Sequence, residues 1–230
     1  MNLEIAPIRV GYSNSVLLVN GSSSVIIDTG VSGHLQTFEN LFRRNKLQPK
    51  DIKLIILTHV HYDHTGNLAE LAELTQAKVL VHKNEFDNLK NGFIPIPHGI
   101  KLYPKFISKI GRTFRPKLVS PPPFEAHLIN YDEFDLKEFG IKGKIISTPG
   151  HSPGSQSVLI GKELISGDTF INLPNNMIFP HFVEDPKTLL QTWQKLFDLG
   201  IERIYPGHGK PFKAEKAYPE FKKWSRKFNP

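Results

Sequence analysis

The run Thr58-His59-Val60-His61-Tyr62-Asp63-His64 sets the tightest limit on how this chain can fold. It puts three imidazoles and a carboxylate within six positions, directly after Ile52 to Leu57, a short segment that reads as a buried strand. Clustered imidazoles repel one another when protonated and waste hydrogen bonds when buried unpaired, so packing alone does not account for all four groups. Metal binding does. His59 and His61, at i and i+2 of an extended segment, point the same way. Asp63 and His64 are aimed differently and suit a second ion.

Composition narrows the donor chemistry. The 230 residues include ten His and no Cys. That excludes a disulfide framework, thiolate zinc sites, iron-sulfur ligation and a Cys nucleophile, so a metal here is held by His and carboxylate. A chain of this length buries a core without staples, and we read 1–230 as a single domain. No apolar run approaches the ~20 residues of a membrane-spanning helix. Met1 to Val10 lacks the basic start and apolar stretch of a secretory signal, so a cytoplasmic location is expected. The net charge of +7 favours anionic partners only in a general way.

Strand and helix signals alternate along the chain. Val16 to Val19 and Val25 to Ile27 flank the turn-forming Asn20-Gly21-Ser22-Ser23 and read as a hairpin ending at Asp28-Thr29-Gly30. His34 to Lys46 has amphipathic spacing, Leu68 to Leu74 reads as a helix and Lys78 to Val81 as a strand. Later strands are expected at Ala126 to Ile129, Gly143 to Ser147, Ser157 to Ile160, Glu163 to Ile165 and Arg203 to Tyr205. Pro186 to Leu199 is expected to be a helix with Asp185 as its N-cap, and Ala214 to Lys227 a final basic helix. Two blocks of strands followed by helices point to a duplicated α/β unit, with sheets face to face and helices outside.

Between them, about 93–124, lies a different stretch, with seven Pro, six Lys or Arg (Lys101, Lys105, Lys109, Arg112, Arg115, Lys117) and no acidic residue. Its basic residues are interleaved with Ile, Leu and Phe. This suits an apolar lid over an acyl chain or a membrane-surface contact at least as well as a phosphate track, with a dimer contact and a packed surface insertion with solvated Lys also open.

Three further segments each set a candidate ligand on a turn after an expected strand: Pro149-Gly150-His151, Gly167-Asp168-Thr169 and Pro206-Gly207-His208. Rigid strands delivering single ligands from distant positions are how a sheet fixes a metal site. The set becomes five His and two Asp.

With these motifs in order, the sequence resembles the metallo-β-lactamase-fold superfamily of metal-dependent hydrolases over nearly its whole length. Asp28 looks like the first family motif, His59-Val60-His61-Tyr62-Asp63-His64 the second, and His151, Asp168 and His208 the third to fifth. The resemblance implies an α/β (in some schemes α+β) fold, a four-layer αββα sandwich with a dinuclear site at one edge. It implies that His59, His61 and His151 hold one metal, that Asp63, His64 and His208 hold the other, and that Asp168 bridges them. Asp28 would orient the ligands from behind. Two zinc ions are expected, with iron or manganese as alternatives. They would share a bridging hydroxide as nucleophile, with Asp63 and Asp168 handling protons.

The family's lactamase members mostly carry Cys or Ser where Asp168 stands, which argues against a dedicated lactamase. Phe170-Ile171-Asn172 lacks the Gly-rich basic continuation of glyoxalase II, and the 22 residues beyond His208 are too few for that enzyme's helical domain. The expected activity is hydrolysis of a small or medium acyl substrate: a lactone, ester or thioester. The alternatives are a nucleic-acid phosphodiesterase, an RNA- or membrane-surface-binding protein, and an iron-dependent persulfide dioxygenase-like oxidoreductase. A small acyl molecule is the expected partner and nucleic acid is disfavoured, while transient membrane contact and a homodimer stay open. Phe170, Phe179 and His181 are the expected substrate contacts, and His98 in the basic stretch is placed near the site mouth.

Overall fold

Side chains of neighbouring strands alternate between two separate cores, the signature of a sheet covered on both faces. In β2 (Ser13–Val19), β3 (Ser24–Ile27) and β4 (Ile52–Ile56), the residues Val16, Leu18, Val25, Ile27, Leu54 and Ile56 face one core, while Leu17, Ile26 and Ile55 face another. The computed structural model describes residues 3–93, 99–100 and 122–228.

The first sheet has the order β1-β2-β3-β4-β5-β6, adding β1 (Glu4–Val10), β5 (Lys78–His82) and β6 (Leu128–Asn130). β1 and β3 run antiparallel to β2, and β3 to β6 are mutually parallel. The second sheet has the order β12-β11-β10-β9-β8-β7, built from β7 (Glu133–Asp135), β8 (Lys144–Ser147), β9 (Gln156–Ile160), β10 (Glu163–Asn172), β11 (Arg203–Gly209) and β12 (Phe212–Lys213). It is antiparallel except for the β10–β11 pair.

The shared inner core joins Val16, Leu54 and Leu80 of the first sheet to Ile145, Val158 and Ile165 of the second. The outer face of the first sheet is covered by α1 (Leu35–Arg44), α3 (Leu68–Thr75) and α4 (Lys83–Lys90), through Phe38, Phe42, Leu71 and Leu89. The outer face of the second is covered by α5 (Pro186–Asp198) and α6 (Tyr218–Phe228), through Leu189, Trp193 and Trp224. The result is the four-layer αββα sandwich. A helical turn, α2 (Tyr62–Thr65), carries the Asp63-His64 pair.

Two strands run further than the hydrophobic pattern indicates. β10 continues through Ser166-Gly167-Asp168 to Asn172, and β11 continues through His208, so Asp168 and His208 ride on strands rather than on turns beyond them. Register shifts at Gly167 mark bulges against β11, and Gly167 adopts φ +49. A side chain there would run into Thr58 Cβ and Oγ1. Most of the basic stretch, including His98, lies outside the described residues. At its start, Gly99 bridges to Phe182 and Ile100 N donates to the His181 carbonyl.

Candidate metal centre

All five ligand segments emerge at one edge of the sandwich. Asp28 follows β3, residues 58–64 follow β4, His151 follows β8, and Asp168 and His208 sit on β10 and β11. Their donor atoms form three overlapping groups, each within 4.8 Å: His59, His61 and His151; His59, His64 and Asp168; Asp63, His64 and His208. His61 Nδ1 lies 3.1 Å from His151 Nε2. Asp168 touches both halves, with Oδ1 3.4 Å from His64 Nε2 and Oδ2 3.7 Å from His151 Nε2 and 3.3 Å from His208 Nε2. Asp63 Oδ2 is 3.3 Å from His208 Nε2.

The far nitrogen of four rings is engaged, and that engagement fixes which nitrogen faces inward. His151 Nδ1 donates to the Phe182 carbonyl at 2.9 Å, and His208 Nδ1 to the Tyr12 carbonyl at 3.0 Å. His64 Nδ1 donates to Asp28 Oδ2 at 2.8 Å. The Thr58 hydroxyl gives its proton to Asp28 Oδ2 at 2.7 Å and accepts from His59 Nδ1 at 3.1 Å. Asp28, buried and held at φ +59, also accepts from Thr58 N at 2.7 Å. It lies behind the cluster, bonded to His64 and Thr58.

The inward atoms tell the rest. His59 Nε2, His64 Nε2 and Asp168 Oδ1 are buried without a hydrogen-bond partner among the described residues. Native interiors rarely tolerate such orphans, and three of them converging within one cluster fit the residues to metal ions. Gly207 keeps the space clear, because a side chain there would overlap Asp168 Oδ1 and approach His64 Cε1 to 2.9 Å.

Electrostatics divides the halves. Burial, then the neighbouring imidazoles, holds His59 well below the usual histidine range. Burial and then His151 take His61 down to about 3, and burial also lowers His151. Lowered values favour the neutral form of all three rings, the form in which an imidazole can bind a metal ion. Burial would lower His64 and His208 too, but carboxylates outweigh it. Asp28, Asp168 and Asp63 hold His64 well above its usual range, and Asp168 with Asp63 brings His208 up to about 10. Burial alone would raise Asp168, yet His208 and His64 hold it well below the carboxylate range.

The structure corrects the expected substrate contacts. Phe170 and Phe179 are fully buried in the outer core, where Phe170 stacks on Trp193 at 4.3 Å and Phe179 on Trp224 at 4.9 Å. Past the register shift at Gly167, Phe170 faces α5 while Asp168 joins the cluster, and Phe179, beyond the end of β10, packs against α5 and α6 in the same outer core. His181 is half-buried, next to the Phe182 carbonyl that holds His151. The exposed aromatics beside the cluster are Tyr12 and Tyr62, with ring centroids 6.2 Å apart.

Several positioning groups are invisible to motif reading. Ser13 Oγ donates to the Asp63 carbonyl at 2.5 Å, and Asn14 Nδ2 to the carbonyls of Pro206 and Gly209 at 2.9 and 2.6 Å. The β1–β2 hairpin thereby ties the Asp63 and His208 segments together. Glu85 of α4, whose carboxyl burial pushes up, reaches the loop that carries His151. No local spacing connects these residues to the ligands, so only the fold reveals them.

The pattern of the metallo-beta-lactamase superfamily matches residues 8–208, a span that contains every one of these clustered residues. The chain belongs to the metallo-beta-lactamase superfamily. Probable metallo-hydrolase MJ0888 of Methanocaldococcus jannaschii is 31% identical over 206 residues, covering 86% of this chain and 89% of the relative. ST1585 of Sulfolobus tokodaii, an archaeal superfamily protein of known structure, shares the fold with a TM-score of 0.69 at 22% identity, over 96% of this chain and 85% of that one. TTHA1623, solved in a di-iron-bound form, gives 0.65 at 26% identity, over 92% and 96%.

Proposed function

We propose that this chain, a metal-dependent hydrolase of the metallo-beta-lactamase superfamily, cleaves a small or medium acyl substrate (lactone, ester or thioester) at a two-metal centre. The supporting observation is the convergence of buried, unpartnered His59 Nε2, His64 Nε2 and Asp168 Oδ1 within overlapping three-residue groups. His59, His61 and His151 would hold one ion, Asp63, His64 and His208 the other, and Asp168 would touch both. When bound, the ions supply Lewis acidity that polarises a carbonyl and makes water a nucleophile near neutral pH.

The protein's own part is to hold geometry and move protons. Asp28, the Thr58 hydroxyl and the Phe182 and Tyr12 carbonyls hold four ring orientations from behind. Asp63 Oδ2 and Asp168 Oδ2, each 3.3 Å from His208 Nε2, are the carboxylate oxygens placed to take a proton from water and pass it to a leaving group. Tyr12 and Tyr62 offer the substrate an apolar surface with polar tips beside His208.

The imidazole and carboxylate donors suit zinc, and the di-iron form of TTHA1623 makes iron the second reading. Among the described residues no helix is long and apolar enough to cross a membrane. The test is metal analysis of the purified chain with turnover of lactone, ester, thioester and phosphodiester panels, and oxygen uptake on a persulfide. We expect two zinc ions per chain and acyl hydrolysis, abolished by His61→Ala with an unchanged circular dichroism spectrum. Less than one ion per chain with no acyl turnover overturns the reading, and iron with oxygen uptake replaces it.

A further inference from the structure

Glu85 is 1% exposed, and among the described residues no ion pair reaches it. A carboxyl buried without a cation is costly unless donors surround it. Three do: Ser152 Oγ donates to Oε1 at 2.5 Å, Gly154 N to Oε1 at 3.2 Å and Asn88 Nδ2 to Oε2 at 3.5 Å, while the Val60 backbone N–H faces the same carboxyl and favours its charged form.

The donors' positions matter more than their number. Val60 lies between His59 and His61, and Ser152 directly follows His151. One carboxyl therefore holds the loop that carries His151 through two donors and lies against the amide between His59 and His61. The loop rests against it with no space between: a side chain at Gly154 would come within 2.5 Å of Glu85 Cγ and 3.1 Å of its backbone N. On the other side the loop is tied to the start of α5, where Asp185 N donates to the Gly150 carbonyl at 2.9 Å and Glu184 N to the His151 carbonyl at 3.1 Å. Asp28, by contrast, serves His64 and Thr58.

We propose that Glu85 is a positioning residue for the three-histidine half of the centre, setting the distance between the His59–His61 segment and His151 through Val60, Ser152 and Gly154. The inference rests on the two-metal reading above. Groups that orient ligands from behind typically change metal affinity 10- to 100-fold when removed.

The test is competition of the zinc-loaded protein with a chromophoric chelator, which resolves two dissociation steps, beside the urea midpoint of the metal-free chain. In Glu85→Ala one step weakens about 10- to 100-fold and the other stays near the wild-type value. Glu85→Gln, which keeps one acceptor oxygen, recovers part of the loss, and Ser152→Ala reproduces part of it. If Glu85→Ala fails to fold, Glu85→Gln and Ser152→Ala carry the test. Wild-type affinity for both ions in these variants, whatever their urea midpoints, overturns the proposal. A wild-type chain that binds no ion overturns the two-metal reading itself and this inference with it.

Discussion

Tyr62 stands between His61 and Asp63, yet its ring is 40% exposed and sits edge-on to Tyr12. A residue so placed contributes little to the core and much to what approaches the ions. On the two-metal reading, Tyr62→Ala raises KM for an apolar acyl substrate up to about tenfold, the effect of losing ~1–1.5 kcal/mol of apolar contact, while the urea midpoint barely moves. Phe170→Ala does the reverse. It removes a ring stacked on Trp193 inside the outer core and costs about 3–5 kcal/mol of stability by urea unfolding. The clustered His and Asp residues were legible because close-set imidazoles have few uses. Phe170 and Phe179 were misread because proximity to Asp168 in sequence does not say whether a side chain turns toward the cluster or into the outer core.

At the scale of single elements, α5 shows how a local signal translates into stability. Asp185 Oδ1 accepts from the backbone N–H groups of Lys187 and Thr188 at 3.0 and 3.1 Å, and Oδ2 from Thr188 Oγ1 at 2.7 Å. These bonds, led by the Thr188 hydroxyl, hold its carboxyl below the usual range. Asp185→Ala costs about 1 kcal/mol at pH 7. Because the native carboxyl is the more acidic one, that contribution is full above about pH 4 and fades as pH falls through the native value. Urea midpoints of wild type and variant should therefore converge toward pH 2–3, and a deficit independent of pH would contradict the assignment. The cap was readable from Asp185-Pro186 because capping is local chemistry. β10 was not readable to its end, since Gly167 looks like a terminator and only pairing with β11 carries the strand past it.

For the molecule as a whole, the centre joins the two sheets at their shared edge, so metal, protons and stability are linked. In the metal-free chain His208 is raised to about 10 and His64 well above its usual range by carboxylates that a metal ion would otherwise neutralise. A raised histidine stabilises the metal-free fold fully below about pH 6.5, and that contribution is lost as pH climbs toward 10. Metal uptake must displace those protons. Apparent zinc affinity should thus rise with pH between about 6.5 and 10, by up to tenfold per unit for each proton released, while the metal-free melting temperature falls over the same window. Calorimetry in buffers of different ionisation enthalpy checks it, with no proton release as the contrary outcome. Chelation at neutral pH should lower the melting temperature, because ions bound only to the native state stabilise it.

By itself the sequence picked out the His and Asp residues that cluster, the order of the motifs, the strand-and-helix alternation and the cap of α5. Each is encoded locally, as residue type, spacing or hydrophobic period. Only the tertiary structure decided that Ser13 and Asn14 tie the Asp63 and His208 segments together, that Glu85 accepts from Ser152 and Gly154, and that Tyr12 and Tyr62, rather than Phe170 and Phe179, are exposed beside the cluster. Those relations join residues up to 195 positions apart. They follow from the packing of one sheet on another, and no local pattern records which strand will lie opposite.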